Sequence, residues 1–339
     1  MTEKPLTAPP LPWKTKISVA LLSLFMDAGC RSDGTVNRRF IKFLDALSPP
    51  NPKPVHGLKT ADFTIDAGRD LWVRTFYPTR PDSDLPVILF FHGGGFAFLS
   101  PASKAYDACC RRIAAAVPAV IVSVNYRLSP ENRYPAQYED GFDVVRWLDG
   151  RDPAFSDFAP RADVSRLFLA GDSAGGNLAH HVAVRISERP AGEFRSVRLV
   201  GLVLIQPFFG GEERMPSEIR LPSLPILSVE RTDWMWKAFL PEGASRDHEA
   251  ANPFVNGTGN LPESFPAALV FVGGLDPLQD WDRRYYEALK ASAKEAWLVE
   301  YPNAIHAFYV FPELPESGML IKELADFVEK QSKKKMYEG

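Results

Sequence analysis

Short, continuous runs of apolar residues alternate with helical stretches along most of this 339-residue chain. Apolar residues occupy both odd and even positions of the runs PVILFF, AVIVSV, RLFLAG, VGLVLI, AALVFV and AWLVEY. A strand with this pattern is buried on both faces, as happens in a parallel sheet that helices cover. The alternation therefore predicts an α/β fold with a mostly parallel central sheet and helices on both faces. Two further strands, ADFTID and DLWVRTFYP, are predicted to form an exposed-edge hairpin joined across AGR.

The domain organisation follows from the same pattern. No internal repeat or long linker divides the chain, so we expect a single domain over residues 1–339. Two segments depart from the strand–helix alternation. Residues 1–50 are predicted to form an N-terminal helical lid segment, and residues 209–262, rich in Pro, Trp and Phe, a helical cap insertion. Ligands of open α/β sheets bind at the carboxyl ends of the strands, so a cap there would cover the ligand.

Composition excludes several classes of function. The 39 Lys and Arg residues nearly balance the 42 Asp and Glu residues, and no basic stripe indicates a nucleic-acid partner. The cysteines are Cys30, Cys109 and Cys110, an odd number with no metal-ligand spacing, so we expect no disulfide framework and no metal site. The apolar run at residues 17–26 is too short to span a bilayer and lacks the flanks of a signal peptide. We expect a cytoplasmic or nuclear protein in which this run forms an amphipathic helix docked on the body.

The pentapeptide GDSAG, residues 171–175, lies between a predicted strand, RLFLAGD, and a predicted helix, SAGGNLAHHVAVRI. This G-x-S-x-G pattern predicts a turn so tight that its serine adopts a strained conformation, while the flanking glycines avoid clashes. Ser173 would then present its Oγ above the sheet. The helix N-terminus behind it would offer free N–H groups to a developing anion. These features make Ser173 the candidate nucleophile.

A second glycine-rich element, FFHGGGF at residues 90–96, follows another buried strand. Glycines leave backbone N–H groups bare of side chains, so this loop can direct two donors at one oxygen. Together with the N–H of Ala174, they predict an oxyanion hole of the HGGG type. His92 precedes the glycines at the strand end, where we expect it to bond the backbone and shape the loop rather than act as a base.

The candidate acid and base follow two late strands. In an α/β sheet with a G-x-S-x-G turn, the order along the chain is serine, acid, histidine. GGLDPLQD follows AALVFV and offers two acids, of which Asp276 is favoured because it is nearer the strand end. Asp280 fits a helix N-terminus, where a carboxylate caps free N–H groups. His306 follows AWLVEYP and is the candidate general base, with Asp276 fixing its tautomer.

Together, HGGGF, GDSAGGN, GLDPLQD and IHAFY resemble the motifs of the plant carboxylesterases in the hormone-sensitive-lipase branch of the α/β-hydrolases. The resemblance runs from about PWKTK to the last predicted helix. It implies an α/β-hydrolase fold and ester hydrolysis without a metal or cofactor. It also implies that the second and third glycines and the residue after the serine form the oxyanion hole, which here are Gly94, Gly95 and Ala174.

Segments such as RSDGTVNRRF, SVNYRLSPENRYP and HEAANPF are also similar to the gibberellin receptors of the same family. In those receptors the family histidine is absent, and the third glycine is a serine that helps to hold the hormone carboxylate. This chain has His306 and Gly95 there, so the resemblance favours a catalytically intact carboxylesterase acting on small esters. One alternative is a receptor-like protein whose lid closes over a small carboxylic acid. The other is a dehydratase or cyclase on the same fold, although relatives of the dehydratase kind tend to replace the serine, and Ser173 is present.

An ester substrate would need an apolar pocket beside the nucleophile. We expect it to be lined by Gly93, Phe96, Phe208 and Tyr309, with Phe98, Phe209 and Phe308 as further candidates. The expected partner is therefore a small-molecule ester. A protein partner is expected only if the chain is receptor-like.

Overall fold

The computed structural model describes residues 11–337 apart from 80, 191, 225 and 256–260. An eight-stranded sheet lies at its centre, in the order β1-β2-β4-β3-β5-β6-β7-β8. The first two pairings, β1 with β2 and β2 with β4, are antiparallel, and all others are parallel. The predicted fold class is confirmed. The strands are β1 (Leu58–Asp66), β2 (Leu71–Pro78), β3 (Leu85–Phe91), β4 (Val120–Asn125), β5 (Ala162–Asp172), β6 (Leu199–Ile205), β7 (Ala267–Leu275) and β8 (Ala296–Ile305).

The helices cover both faces of this sheet. On one face α4 and α6 pack together, and α9 joins them where Tyr285 bonds His180. On the other face α3 packs against α10. The helices are α1 (Trp13–Gly29), α2 (Arg38–Leu44), α3 (Lys104–Ala116), α4 (Ala136–Asp149), α5 (Pro153–Phe158), α6 (Ala174–Ser187), α7 (Pro216–Arg220), α8 (Val229–Phe239), α9 (Gln279–Ala291) and α10 (Pro315–Tyr337).

The predicted hairpin of β1 and β2 forms, with a 3₁₀ turn at Ala67–Arg69, but the prediction that both strands lie at an exposed edge is wrong. Only β1 is at the edge, because β2 pairs with β4 on its other side and is mostly buried. A charged residue caused the error. Arg74 in β2 is 2% exposed and makes a two-pronged ion pair with Asp62 and a further bond to Asp107. A buried strand that contains an arginine with a fully paired charge therefore shows the same alternating sequence pattern as an exposed strand.

The apolar run at residues 17–26 lies within α1, which is docked on the body of the protein. Its inner face is buried, and the ring of Phe25 lies 6.1 Å from that of Phe98, beyond the glycine loop. The outer face carries large apolar side chains that stay exposed: Trp13, Ile17, Leu21 and Leu24. In the described part of the chain, no helix is long and apolar enough to cross a membrane.

The segment between β6 and β7 is mostly irregular and contains α7 and α8. The side-chain amide of Asn177, near the start of α6, fixes the path of this segment. The Nδ2 atom donates to the carbonyls of Phe208 and Ala250, and the Oδ1 atom accepts from the hydroxyl of Tyr138. The asparagine that follows the GDSAGG glycines thus ties this segment to the helix behind Ser173.

Candidate active site

The turn from β5 into α6 holds Ser173 in a backbone conformation that is strained for a residue with a side chain, φ 50° and ψ −119°. Two glycines permit the turn. A Cβ atom on Gly171 would overlap the carbonyl of Gly175, and one on Gly175 would overlap the carbonyl of Phe91. The serine side chain is 7% exposed. Because Ala174 is the first residue of α6, its N–H has no partner within the helix and faces the end where Ser173 stands.

In the glycine loop after β3, one N–H group is bonded within the protein and two are not. The N–H of Gly93 donates to the hydroxyl of Tyr106, at 2.7 Å, and to Oδ1 of Asp172, at 3.0 Å. In the described chain, no backbone or side-chain acceptor bonds the N–H of Gly94 or Gly95. These two N–H groups are therefore free to donate to a further acceptor, whereas that of Gly93 holds the loop.

Positive φ angles set the shape of this loop, 105° at Gly94 and 60° at Gly95. Neither position has room for a side chain. A Cβ atom on Gly94 would overlap the carbonyl of Phe98, and one on Gly95 would lie 2.6 Å from Cγ of Met235 in α8. Met235 is 3% exposed, so its flexible thioether closes the space above the loop. Nothing in the sequence pattern indicated this role for Met235.

The acid and the histidine meet at the ends of β7 and β8. Nδ1 of His306 lies 2.7 Å from Oδ2 of Asp276, and both side chains are buried. Oδ1 of Asp276 accepts the N–H of Leu278 at 3.0 Å. The other candidate acid is engaged elsewhere, because Asp280 accepts the N–H of Ser217 and pairs with a neighbouring arginine of its own helix. Asp276, and not Asp280, is therefore the carboxylate that orients His306.

Sequence reasoning missed Gln206, which follows β6 directly. Its Nε2 atom donates to Oδ2 of Asp276 at 2.7 Å, and its Oε1 atom accepts the N–H of Ala307 at 2.9 Å. A polar residue at the carboxyl end of a buried strand, between the strands that carry the serine and the acid, was the available signal.

Asp172, the second residue of GDSAG, is a buried carboxylate beneath the serine turn. Burial raises its pKa to about 6, although the hydroxyls of Tyr309 and Tyr106, the charge of His306 and the N–H of Gly93 act in the opposite direction. The hydroxyl of Tyr106 donates to its Oδ2 atom at 2.7 Å. Asp172 thus connects the serine turn with the glycine loop and places negative charge near the candidate base.

As expected, the side chain of His92 bonds the backbone of the glycine loop and is not placed to transfer a proton. Its Nδ1 atom is 2.8 Å from the carbonyl of Gly93, and its ring stacks on Tyr126 with centroids 4.3 Å apart. Burial lowers its pKa to about 4, so the ring is neutral near neutral pH. Its Nε2 atom is buried and bonds no described group.

The aromatic residues expected around the substrate divide into two groups. Phe96 stacks on Phe239 with ring centroids 3.8 Å apart, and Phe208 stacks on Trp236 at 4.0 Å, so both link the site to α8. Tyr309 lies beside Asp172. Other aromatic residues pack away from the serine turn: Phe209 on Tyr285 and Phe308 on Tyr301. In the described residues, no group of three or more His, Cys, Asp or Glu side chains is arranged to hold a metal ion.

The raised pKa of Asp172 predicts a dependence of stability on pH. Because the folded state favours the protonated acid, the contribution of Asp172 to stability falls as pH rises from the ordinary carboxyl pKa of 3.8 through about 6. Asp172→Asn has no proton to lose. Its free energy of unfolding relative to wild type should therefore increase between pH 4 and pH 7, by about 2 kcal/mol. Urea unfolding at a series of pH values measures this difference. The exposed Asp84→Asn is the control, and a flat difference for Asp172→Asn would contradict the prediction.

Comparisons with known proteins support the α/β-hydrolase fold. Residues 88–310 match the family with the α/β-hydrolase fold. The chain is 40% identical over 333 residues to gibberellin receptor GID1C of Arabidopsis thaliana, and the match covers 94% of each chain. It is 33% identical over 274 residues to carboxylesterase 20 of the same plant, and this match covers 78% of this chain and 83% of the relative. A hyperthermophilic esterase from Pyrobaculum calidifontis superposes with a TM-score of 0.71 at 27% identity, covering 94% of this chain and 92% of the esterase. The chain is an esterase-like protein that belongs to the α/β-hydrolase fold family, among plant relatives that include both carboxylesterases and gibberellin receptors.

Proposed function

We propose that this protein is a carboxylesterase that hydrolyses small carboxylic esters through an acyl-enzyme on Ser173. The observation that carries the proposal is the buried hydrogen bond between His306 and Asp276, at the sheet edge where the strained serine turn lies. A receptor that only binds its ligand has no use for a histidine oriented by a carboxylate. The carboxylesterase and esterase relatives support the same reaction class.

In the first half of the reaction, Oγ of Ser173 attacks the ester carbonyl while Nε2 of His306 takes the hydroxyl proton. The carbonyl oxygen becomes an anion, which the N–H groups of Gly94, Gly95 and Ala174 stabilise. His306 then gives its proton to the departing alcohol oxygen, and the ester C–O bond breaks. The Asp276 carboxylate holds the ring in the correct tautomer and stabilises the imidazolium.

In the second half, His306 takes a proton from water, and the resulting hydroxide attacks the acyl carbon. The same three N–H groups hold the second oxyanion. Collapse of this intermediate breaks the bond to Ser173, which recovers its proton from His306 and releases the carboxylic acid. The chemistry uses only these side chains and backbone groups, and we propose that it requires no metal or cofactor.

The substrate pocket is proposed to lie beside the serine turn and the glycine loop. Gly93, Phe96, Phe208 and Tyr309 would form its wall, and the stacking of the two phenylalanines on α8 supports an apolar surface. Gly93 would contribute by its lack of a side chain, since a Cβ atom there would lie 2.8 Å from the hydroxyl of Tyr106.

We further propose that the chain is one α/β-hydrolase domain, residues 1–339, in which residues 1–50 form a lid and residues 209–262 a cap. Residues 1–10 of the lid and residues 225 and 256–260 of the cap lie outside the described residues. The contacts between the two segments support this division. Arg231 of α8 makes a two-pronged ion pair with Asp27 of α1, both bonds being 2.7 Å. The indole of Trp234 donates to the carbonyl of Arg31. A lid anchored on the cap can cover the serine without a covalent link.

The second candidate function is binding without turnover, as in a receptor for a small carboxylic acid. The 40% identity to a gibberellin receptor over 94% of both chains favours it. The exposed apolar stripe on the outer face of α1 also favours it, because such a surface is a common site of protein association. The oriented histidine argues against it, and the two functions differ in the outcome of the following experiment.

The base and the acid are tested together. His306→Ala should lower kcat towards a short-chain aryl ester by about 10⁴-fold, because the serine loses its proton acceptor. Asp276→Asn should cause a loss of similar order, whereas Asp280→Asn, its matched control, should retain most activity because its carboxylate bonds Ser217 instead.

The result that would overturn the esterase proposal is a correctly folded wild type that hydrolyses no member of a series of esters with different acyl chains. Calorimetric titration with small carboxylic acids then decides whether the receptor-like function replaces it. Full activity of His306→Ala would likewise contradict the mechanism.

The role of Gly95 predicts a compensating pair of substitutions. Gly95→Ser should lower kcat/KM by about 10-fold to 10²-fold, since its side chain meets Met235 and the backbone must keep a φ angle of 60°. The loss should be smaller than for a removed donor, because the N–H remains. Met235→Ala should restore part of the activity in the Gly95→Ser protein, with Met235→Ala alone as the control. A double variant no more active than Gly95→Ser would show that Met235 is not the obstacle.

A further inference from the structure

Gln206 uses its side-chain amide to bond the acid and the backbone on either side of the histidine. Nε2 donates to Oδ2 of Asp276 at 2.7 Å and to the carbonyl of Ile305 at 3.2 Å. Oε1 accepts the N–H of Ala307 at 2.9 Å. The residues immediately before and after His306 are therefore held by the same amide that holds the carboxylate of its partner.

The backbone around this amide is built to place it. Gln206 has a φ angle of 47°, a left-handed conformation that is strained for a residue with a side chain. Its own N–H is fixed by the carbonyl of Phe271 in β7. Gly273 leaves the space that the side chain occupies, since a Cβ atom on that glycine would overlap Nε2 of Gln206. An amide that only filled a gap in the core would not need both a strained backbone and a glycine opposite.

The turn that carries His306 depends on the same side chain. Ala307 has φ 59° and ψ 23°, so the chain reverses just after the histidine in a conformation that few residues other than glycine adopt. Its N–H points to Oε1 of Gln206. The hydrogen bond stabilises this reversal and so fixes the direction in which the imidazole leaves the backbone.

One carboxylate oxygen receives two donors. Oδ2 of Asp276 accepts Nε2 of Gln206 and Nδ1 of His306, both at 2.7 Å. The amide thereby stabilises the ionised carboxylate in a buried place and prevents it from rotating away from the ring.

We propose that Gln206 is a positioning residue, which fixes the Asp276 carboxylate as an ionised, oriented acceptor and holds His306 against it. Gln206 acts through these two residues and contacts no reacting atom. The kinetic consequences rest on the proposed esterase function, whereas the geometry of the acid–histidine pair can be tested without a substrate.

Two substitutions separate positioning from simple packing. Gln206→Leu removes all three hydrogen bonds at similar volume, and it should lower kcat by about 10²-fold with little change in KM. Gln206→Glu keeps the acceptor for Ala307 and, while protonated, keeps a donor for Asp276. It should therefore be most active at acidic pH and lose activity as the new carboxyl ionises beside Asp276, giving a descending limb that the wild type lacks.

The matched control is Gln279→Leu. Gln279 is also a buried amide beside the acid, but it donates to the main-chain carbonyls of Gly274 and Asp276 and not to the carboxylate. This variant should keep the wild-type pH profile and should change kcat less than twofold. Near-ultraviolet circular dichroism verifies the fold of each variant, and the isosteric Gln206→Glu remains informative if Gln206→Leu does not fold.

The substrate-free measurement is proton NMR of protein labelled with ¹⁵N-histidine, in which the Nδ1–H resonance of His306 is assigned by its loss in His306→Ala. Gln206→Leu should shift this resonance or broaden it by exchange with water, and Gln279→Leu should leave it in place. An unchanged resonance in Gln206→Leu, or a wild-type pH profile in Gln206→Glu, would overturn the proposal. If the wild type hydrolyses no ester, the esterase function fails, and the NMR result alone decides on Gln206.

Discussion

A single buried carboxylate, that of Asp172, joins the two loops on which the candidate site depends. The residue belongs to the serine turn, and its two oxygens accept the N–H of Gly93 and the hydroxyl of Tyr106. The free N–H groups of Gly94 and Gly95 therefore have a fixed position relative to Ser173. The proposed oxyanion hole would require this, because donors displaced by even 1 Å lose much of their effect. This link requires a buried carboxylate, and its burial raises the pKa of Asp172.

The strands and the serine turn could be predicted from the sequence because their causes are local. A strand such as β3 shows its burial in a continuous apolar run, and Gly171 and Gly175 reveal the turn because no larger residue fits there. The β2 strand shows the limit of this reasoning. In the sequence, the buried Arg74 cannot be distinguished from an exposed arginine. Only the structure shows that Asp62 and Asp107 neutralise its charge.

The supporting residues of the site were missed for a related reason. Gln206 bonds groups that lie 70 and 101 residues away in the chain, and no spacing pattern connects such positions. Met235 reaches Gly95 from α8, which lies in the segment between β6 and β7, and no spacing pattern connects these two positions either. Residues whose chemistry is carried by a short motif can be found in the sequence. Those that act by holding a motif residue depend on which strands become neighbours, and that is visible only in the fold.

Hydrogen-bond donors near the candidate base are divided unequally between two buried carboxyls. Asp276 receives donors from His306, Gln206 and the backbone of Leu278. Asp282, one turn into α9 and also buried, receives none from any described residue, and burial together with the charge of Asp276 raises its pKa well above the ordinary value. A buried carboxyl without donors favours its neutral form, whereas donors hold a carboxylate in one orientation. The fold supplies donors to the carboxyl that contacts Nδ1 of His306 and withholds them from its neighbour, so the ring faces one oriented acceptor.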